Sequence, residues 1–154
     1  MTAMDLTIER EVLIAAPVEV VWRTVTEPDQ IAQWFAERVE LDVRPGGRGV
    51  LVFERDDGET VAPLVVERVE PPTLFSFRWG HAEGEQPSPA NSCLVEFTLA
   101  PADDGHTRLR VSETGLEDTA WDDAKRTDYA EDHRRGWSTL TDRLVARFAP
   151  AGAG

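Results

Sequence analysis

Near its start the chain reads APVEVVWRTVTEPDQIAQWF, at residues 16–35. Pro17 suits the first turn of a helix, where its missing N–H would have no partner in any case. Glu27-Pro28 ends that helix, because a residue before proline avoids the α region. Residues 29–35 then place apolar side chains at helical spacing. The segment therefore predicts two short helices with a sharp break between them.

On both sides of this segment, apolar and polar residues alternate with the period of two that is typical of half-buried strands. The alternation predicts seven strands, at residues 6–14, 37–43, 48–55, 60–70, 73–79, 92–99 and 107–113. Turn residues such as Pro45-Gly46-Gly47 and Asp56-Asp57-Gly58 separate members of the last six. Hairpins then join consecutive strands, so the predicted sheet is antiparallel.

The last part of the chain, residues 119–148, changes to a helical period. Apolar and aromatic residues recur there every three or four positions, which predicts one long helix with a single inner face. The inner face consists of Tyr129, His133, Trp137, Leu140, Leu144 and Phe148. Gly136 costs this helix about 1 kcal/mol relative to alanine, so we expect close packing around it. Only this helix is long enough to cover the apolar face of the sheet. Residues 150–154 predict a frayed tail.

Size and charge narrow the class of protein. A chain of 154 residues fits one domain over residues 1–154, with its core at about 6–148. The net charge of −13 argues against nucleic acid or an anionic membrane as partner, since both require clustered cations. No apolar run reaches the ~20 residues that cross a bilayer, and the start of the chain lacks an apolar signal core. A single cysteine fits a reducing compartment. We therefore expect a cytoplasmic protein.

Five framework motifs occur in order along the chain. They are Ala16-Pro17-x-Glu19-x-Val21-Trp22, Glu27-Pro28 followed by Trp34-Phe35, Pro45-Gly46-Gly47-Arg48, Val69-Glu70-Pro71-Pro72, and Gly136-Trp137-x-x-Leu140. Together they resemble the family named for the activator of the ninety-kilodalton heat-shock-protein ATPase, within the START-like, SRPBCC or birch-pollen-allergen-like superfamily. The resemblance covers about residues 6–148. It implies an α+β helix-grip fold, in which a curved antiparallel sheet of about seven strands wraps a long C-terminal helix around an apolar cavity. Two short helices follow the first strand.

The resemblance also implies a range of functions. Relatives in the superfamily bind lipids, sterols, polyketides or plant hormones, and some are cyclases or aromatases. We therefore expect a bacterial protein that binds an apolar or amphipathic small molecule. The alternatives are an enzyme of the cyclase, aromatase or hydrolase type, and a chaperone-accessory protein. Eukaryotic activators carry a separate chaperone-binding domain before this fold, whereas this chain begins at its first strand, which argues against chaperone activation. Some members of the family form homodimers.

Seven aromatic rings are the candidate lining of the predicted cavity. Small-molecule sites are mostly apolar with a few convergent polar groups, and aromatic rings give large contact area at low entropic cost. The alternative is that these rings fill an ordinary solid core. The candidate ligand-binding rings are Trp34, Phe35, Phe53, Phe75, Phe77, Trp79 and Trp137.

Three polar residues are candidates for the chemistry of the site. Glu113 is in phase with apolar neighbours on its strand, and a buried carboxyl has a raised pKa unless a cation or several donors stabilise it. It is thus a candidate acid, base or ligand anchor. Arg10, on the apolar face of the first strand, could pair with Glu113 or bind a ligand carboxylate. His133 could be a polar handle in the cavity or a histidine bonded to backbone or water. Glu113 and Arg10 could instead reach solvent at the ends of the sheet.

Other chemistry has no motif to support it. His81, His106, His133 and Cys93 show no metal-ligand spacing, so we expect neither a metal nor a cofactor. We expect His81 and His106 to be solvated, and Cys93 to be a packed core thiol. No serine lies in a nucleophile elbow, and the glycine-rich turn near residue 46 lacks the end of a phosphate loop.

Overall fold

The structure, a computed structural model, describes residues 6–82 and 84–149. The tail predicted at residues 150–154 lies outside the described residues. Seven strands form one antiparallel sheet in the order β1-β7-β6-β5-β4-β3-β2. Their bounds are β1 Ile8–Ile14, β2 Arg38–Leu41, β3 Arg48–Arg55, β4 Gly58–Glu70, β5 Leu74–Trp79, β6 Cys93–Pro101 and β7 Thr107–Thr114. The predicted antiparallel meander is confirmed, and β1 adds an edge strand to it by pairing with β7.

Three α-helices accompany the sheet: α1 Val18–Thr26, α2 Pro28–Ile31 and α3 Asp123–Arg147. Pro17 occupies the N-cap of α1 rather than its first turn, and α2 is shorter than predicted, because residues 32–35 form a turn. Two short 3₁₀ helices, Asp103–Gly105 and Leu116–Asp118, follow β6 and β7. Within the described residues, no helix is long and apolar enough to span a membrane. The helix-grip prediction is confirmed in element order and class.

The space between the sheet and α1–α2 is filled with side chains. Phe97 on β6 lies between the rings of Trp34 and Trp137, at centroid distances of 6.3 and 5.8 Å. Phe75 and Phe77 pack beside it. The void that the described residues leave among these rings is about 10 Å³, at most enough to hold about one water molecule. This part of the protein is therefore solid core.

A buried hydrogen bond fixes the chain where it leaves β1 for the helices. The hydroxyl of Thr107, at the start of β7, donates to the carbonyl oxygen of Ala16 at 2.7 Å, and Thr107 is fully buried. In the turn after α2, the indole Nε1 of Trp34 donates to the carbonyl oxygen of Thr24 at 2.9 Å. The first bond ties the start of the α1–α2 segment to the sheet, and the second holds the turn after α2 against α1.

Replacing Thr107 with valine should lower the free energy of unfolding by about 1–3 kcal/mol, because the shape is kept while the buried carbonyl of Ala16 loses its donor. Urea denaturation measures the change. Thr98→Val is the matched control, since Thr98 is exposed and its hydroxyl lies 3.5 Å from the carbonyl oxygen of Arg110. The control should change stability by less than about 0.5 kcal/mol. Equal losses in the two variants would contradict the structural role of the bond to Ala16.

Candidate functional site

A single carboxylate is buried at the inner face of the sheet. Along β7 the inward positions are Thr107, Leu109, Val111 and Glu113, and all four are buried. Glu113 is 0 % exposed, although ionised groups are rarely buried so completely unless they are paired. The prediction that Glu113 points inward is confirmed, and the alternative that it reaches solvent is wrong.

Four side chains donate hydrogen bonds to this carboxylate. Oε1 of Glu113 accepts from Nδ1 of His133 at 2.8 Å and from Nε1 of Trp137 at 2.9 Å. Oε2 accepts from Nε1 of Trp79 at 2.8 Å and from the hydroxyl of Tyr129. An ionised carboxylate offers about four acceptor positions. The four donors therefore use the full accepting capacity of Glu113.

The long helix supplies three of the four donors. Tyr129, His133 and Trp137 are spaced by four residues, so they lie on successive turns of one face of α3. The fourth donor, Trp79, comes from the end of β5. The ring of His133 stacks on Tyr129 at a centroid distance of 3.7 Å and an interplanar angle of 20°, and it meets Trp79 nearly edge-on at 5.4 Å. These contacts fix the orientation of the imidazole ring.

The surroundings of Glu113 decide its charge. Burial alone would raise its pKa, but the hydrogen bond and charge of His133, with the bonds from Tyr129 and Trp137, outweigh burial and lower the pKa. Burial and the nearby Glu113 charge raise the pKa of Tyr129 well above its ordinary value. The same two causes raise the pKa of Cys93 to about 12. At neutral pH the cluster therefore holds one carboxylate beside a neutral phenol and a neutral thiol, and Cys93 is the packed core thiol that was predicted.

The carboxylate also determines the tautomer of His133. An ionised carboxylate has no hydrogen to donate, so the bond requires the hydrogen to be on Nδ1 of His133. In the neutral ring, Nε2 is then an acceptor. Within the described residues, the hydrogen bond identified for this ring is the one from Nδ1, and the side chain is 20 % exposed. The Nδ1 partner of His133 is thus the Glu113 side chain rather than a backbone group.

An open cleft of about 300 Å³ lies beside this cluster, between α3 and β4–β5. Its apolar walls come from four aromatic rings, Phe35, Phe53, Trp79 and Trp137. Its polar lining comes from Thr60, His81, Tyr129, Asp132 and His133. A second cleft of about 310 Å³ adjoins it and continues along α3 to Arg143. Phe35, Phe53, Asp132, Gly136 and Leu140 line both clefts.

Gly136 lies where the two clefts adjoin. A Cβ atom built at this position would meet nothing within 4 Å. The prediction of close packing around Gly136 is therefore wrong. The missing side chain instead leaves the cleft open at the surface of α3.

Comparison with known proteins identifies the family. A family model described as "Activator of Hsp90 ATPase homolog 1-like protein" matches residues 15–149. The chain belongs to this family. No curated protein sequence matches the chain.

Solved structures of family-like proteins share the fold. The protein MLL2253 from Mesorhizobium loti is 28% identical, with a TM-score of 0.71, and the match covers 91% of this chain and 94% of that one. DynU16, a protein in the dynemicin biosynthetic locus, is 25% identical with a TM-score of 0.71, and the match covers 93% of this chain and 47% of DynU16. The Aha1 dimer from Colwellia psychrerythraea is 17% identical with a TM-score of 0.72, covering 96% and 98%, and shows the fold alone.

The structure separates the seven aromatic rings predicted to bind ligand into two groups. Phe35, Phe53, Trp79 and Trp137 line the cleft. Phe75 and Phe77 lie instead in the solid core, and the indole N–H of Trp34 is used by the carbonyl of Thr24. For these last three rings, the alternative reading of an ordinary packed core describes their environment.

Arg10 lies away from the cluster. Its guanidinium pairs with the carboxylate of Asp142 at 2.9 Å and donates to the hydroxyl of Thr141 at 3.2 Å. The C-terminal part of α3 meets β1, whereas the N-terminal part meets Glu113. The predicted Arg10–Glu113 pair is therefore wrong, and Arg10 does not line the cleft.

His81 is a cleft residue that the sequence analysis missed. It was expected to be solvated in a polar loop, but it is only 7% exposed, and its Nδ1 has no hydrogen-bond partner among the described residues. Burial and the charge of Arg48 lower its pKa, while Glu85 opposes them. Gly80 beside it has φ +102°, and a Cβ there would lie 3.3 Å from the Tyr129 hydroxyl.

His106 lies next to its turn, with Nδ1 3.1 Å from the carbonyl oxygen of Asp104.

Among the described residues, no three His, Cys, Asp or Glu side chains are grouped so that they could hold a metal ion.

Replacing Glu113 with glutamine should lower the free energy of unfolding at neutral pH by about 2–5 kcal/mol, because an amide NH₂ would face two donors that lose their acceptor. Urea denaturation of both proteins between pH 3 and 7 measures the difference. Because the folded-state pKa of Glu113 is lowered, its stabilisation is complete above the unfolded pKa of about 4.3 and is lost as the pH falls through the folded value. The difference between the two proteins should therefore shrink at acid pH.

Glu131→Gln is the control for this measurement, since Glu131 is exposed on α3. Its stability should follow the wild-type protein within about 0.5 kcal/mol across the same pH range. A pH-independent gap between wild type and Glu113→Gln would contradict the ionised state assigned to Glu113.

Proposed function

We propose that this protein binds an apolar or amphipathic small molecule in the cleft between α3 and β4–β5. The observation that carries the proposal is the cleft itself, whose aromatic walls are held by indole bonds to a buried carboxylate. Ligand sites typically have volumes of about 300–1,000 Å³ and combine apolar walls with a few polar groups. The two clefts beside α3, of about 300 and 310 Å³, both lie at the lower end of that range.

The chemistry of the lining supports burial of a ring-shaped molecule. Phe35, Phe53, Trp79 and Trp137 are at most partly exposed and present their rings to one space. Apolar contact there would contribute about 25 cal/mol per Å² buried, and His133 and His81 would orient the ligand. DynU16 is described as a protein in a biosynthetic locus, a setting that favours a small-molecule role.

A second candidate function is an enzyme, of the cyclase, aromatase or hydrolase type. The observation that favours it is the Glu113–His133 pair, because a carboxylate that fixes the tautomer of a histidine base is a recurring catalytic arrangement. In this candidate, Nε2 of His133 would take a proton from a substrate in the cleft, and Glu113 would stabilise the charged ring. Turnover of a cleft ligand that is lost in His133→Phe would favour the enzyme over the binding protein.

Other expectations stay proposals. A homodimer is suggested by the Aha1 homologue from Colwellia psychrerythraea, which is described as a dimer. A chaperone partner follows only from the family description, and a cytoplasmic location only from the single cysteine. Sedimentation velocity tests the first, and capture of a purified chaperone tests the second.

Gly136→Leu should raise stability while abolishing ligand binding. Its side chain would enter the open space at the junction of the two clefts, and removing glycine from the helix should stabilise the fold by about 1 kcal/mol. The probes are naphthalene, 2-naphthol and 1-decanol, titrated into ¹⁵N-labelled protein. Binding in the cleft should shift the indole N–H signals of Trp79 and Trp137 and leave that of Trp22 in place.

The matched control is Gly136→Ala, which gives the same gain in helix stability but adds only one methyl group. It should retain binding of the probes, whereas Gly136→Leu should weaken binding at least about tenfold. The proposal fails if none of the three probes shifts the Trp79 and Trp137 signals, or if Gly136→Leu binds them as the wild type does.

A further inference from the structure

We propose that the cleft selects neutral ring compounds that carry a hydroxyl group, which donates its hydrogen to Nε2 of His133. This inference rests on the proposed function, since it names the chemical class of the ligand in the same cleft. It makes His133 the residue that determines specificity, and it makes Glu113 a positioning residue that acts through His133.

The first argument is that Glu113 fixes which nitrogen of the neutral His133 ring can accept a hydrogen bond from the ligand. The carboxylate takes the hydrogen on Nδ1 at 2.8 Å, and its other acceptor positions are used by Trp79, Tyr129 and Trp137. The two nitrogens of an imidazole ring point in widely different directions, so Nε2 points away from Glu113. With the hydrogen on Nδ1, the neutral ring offers a lone pair at Nε2, and this lone pair requires a donor.

The second argument is that the acceptor is held in place before a ligand arrives. The imidazole lies between the stacked ring of Tyr129 and the edge of Trp79. Rotation of the ring would break the bond to a fully buried carboxylate, which is costly. The conformational entropy of the His133 side chain is therefore already lost on folding, before a ligand hydroxyl binds. Such preorganisation of the acceptor favours affinity.

The third argument concerns charge. The cleft lies beside the Glu113 carboxylate, and Asp132 is on its lining. Among the described residues that line it, none is an arginine or a lysine. A carboxylate ligand would lose hydration, which costs several kcal/mol in an apolar site, and Arg135 and Arg143 line the adjoining cleft rather than this one. An ammonium ligand would find the acceptor positions of Glu113 already occupied, and an ion pair with Asp132, which is exposed, would contribute at most about 1 kcal/mol. A neutral hydroxyl avoids both costs.

His81 adds unused hydrogen-bonding capacity to the same cleft. Its side chain lines the cleft and is only 7% exposed. Its Nδ1 has no hydrogen-bond partner among the described residues. A buried polar atom without a partner is costly. Because His133 and His81 line the same cleft, they favour a ligand that carries polar hydrogen or oxygen atoms into this otherwise aromatic space.

The test compares four probes of one shape on the full chain: naphthalene, 2-naphthol, 2-methoxynaphthalene and 2-naphthoate. Isothermal titration calorimetry measures the affinities, and the indole N–H signals of Trp79 and Trp137 report the location. We expect 2-naphthol to bind about fivefold more tightly than naphthalene or its methyl ether, the gain typical of one net hydrogen bond. We expect 2-naphthoate to bind at least about fivefold more weakly than 2-naphthol.

A second readout comes from ¹⁵N-labelled histidine. On addition of 2-naphthol, the Nε2 resonance of His133 should shift, while Nδ1 keeps its hydrogen; the methyl ether should leave Nε2 unchanged. His133→Phe keeps a flat ring against Tyr129 but removes the acceptor. In this variant the preference for 2-naphthol over 2-methoxynaphthalene should disappear while naphthalene still binds.

The outcomes separate the two proposals. Equal affinities of 2-naphthol and its methyl ether in the cleft would overturn the hydroxyl inference and leave the small-molecule proposal standing. A preference that persists in His133→Phe, or tighter binding of 2-naphthoate than of 2-naphthol, would also overturn it. If none of the probes binds the cleft, the small-molecule proposal itself fails. The comparison of probes uses the wild-type protein, so it holds even where the variant folds poorly.

Discussion

The arrangement of this protein depends on one buried carboxylate with four donors. A charge removed from water costs several kcal/mol unless strong hydrogen bonds offset the loss. Glu113 on β7 has such bonds from β5 and from three successive turns of α3. The carboxylate therefore determines where the helix lies on the sheet. If α3 slid by one turn, it would leave the charge without most of its donors.

The same bonds shape the cleft. The N–H edges of Trp79 and Trp137 turn toward Glu113, so their ring surfaces are available to line the cleft. The Nδ1 side of His133 is used in the same way, which leaves Nε2 for whatever enters. Gly136 keeps the cleft open, because it has no side chain to fill the space beside Trp137. The hydrogen-bonding edges of these three rings thus face Glu113, while other parts of the same rings line the cleft.

Much of the fold could be predicted because the alternation of apolar and polar residues has a direct physical meaning. The same pattern on β7 also predicted the inward direction of Glu113. Its partners could not be found in this way, because Tyr129, His133 and Trp137 also fit an apolar helical stripe. Their common target depends on how α3 sits against the sheet. For Arg10 the predicted partner was wrong. Its inward position on β1 suggested Glu113, but it pairs with Asp142 on the part of α3 that crosses β1. His81 was missed because its burial is produced by tertiary packing around Gly80.

The segment at residues 16–35 has a more specific role than a fold signature. Its last two residues divide between the core and the cleft: Trp34 is fixed by its bond to Thr24, whereas Phe35 forms the wall. Phe35 contacts Phe53, Trp79 and Trp137 at centroid distances between 5.3 and 5.8 Å, and it also borders the 10 Å³ void of the solid core. Because close-packed interiors transmit changes of volume, the core sets the position of this wall. The open space of this protein thus lies along α3, outside the solid interior, and it is bordered by a few polar side chains rather than enclosed.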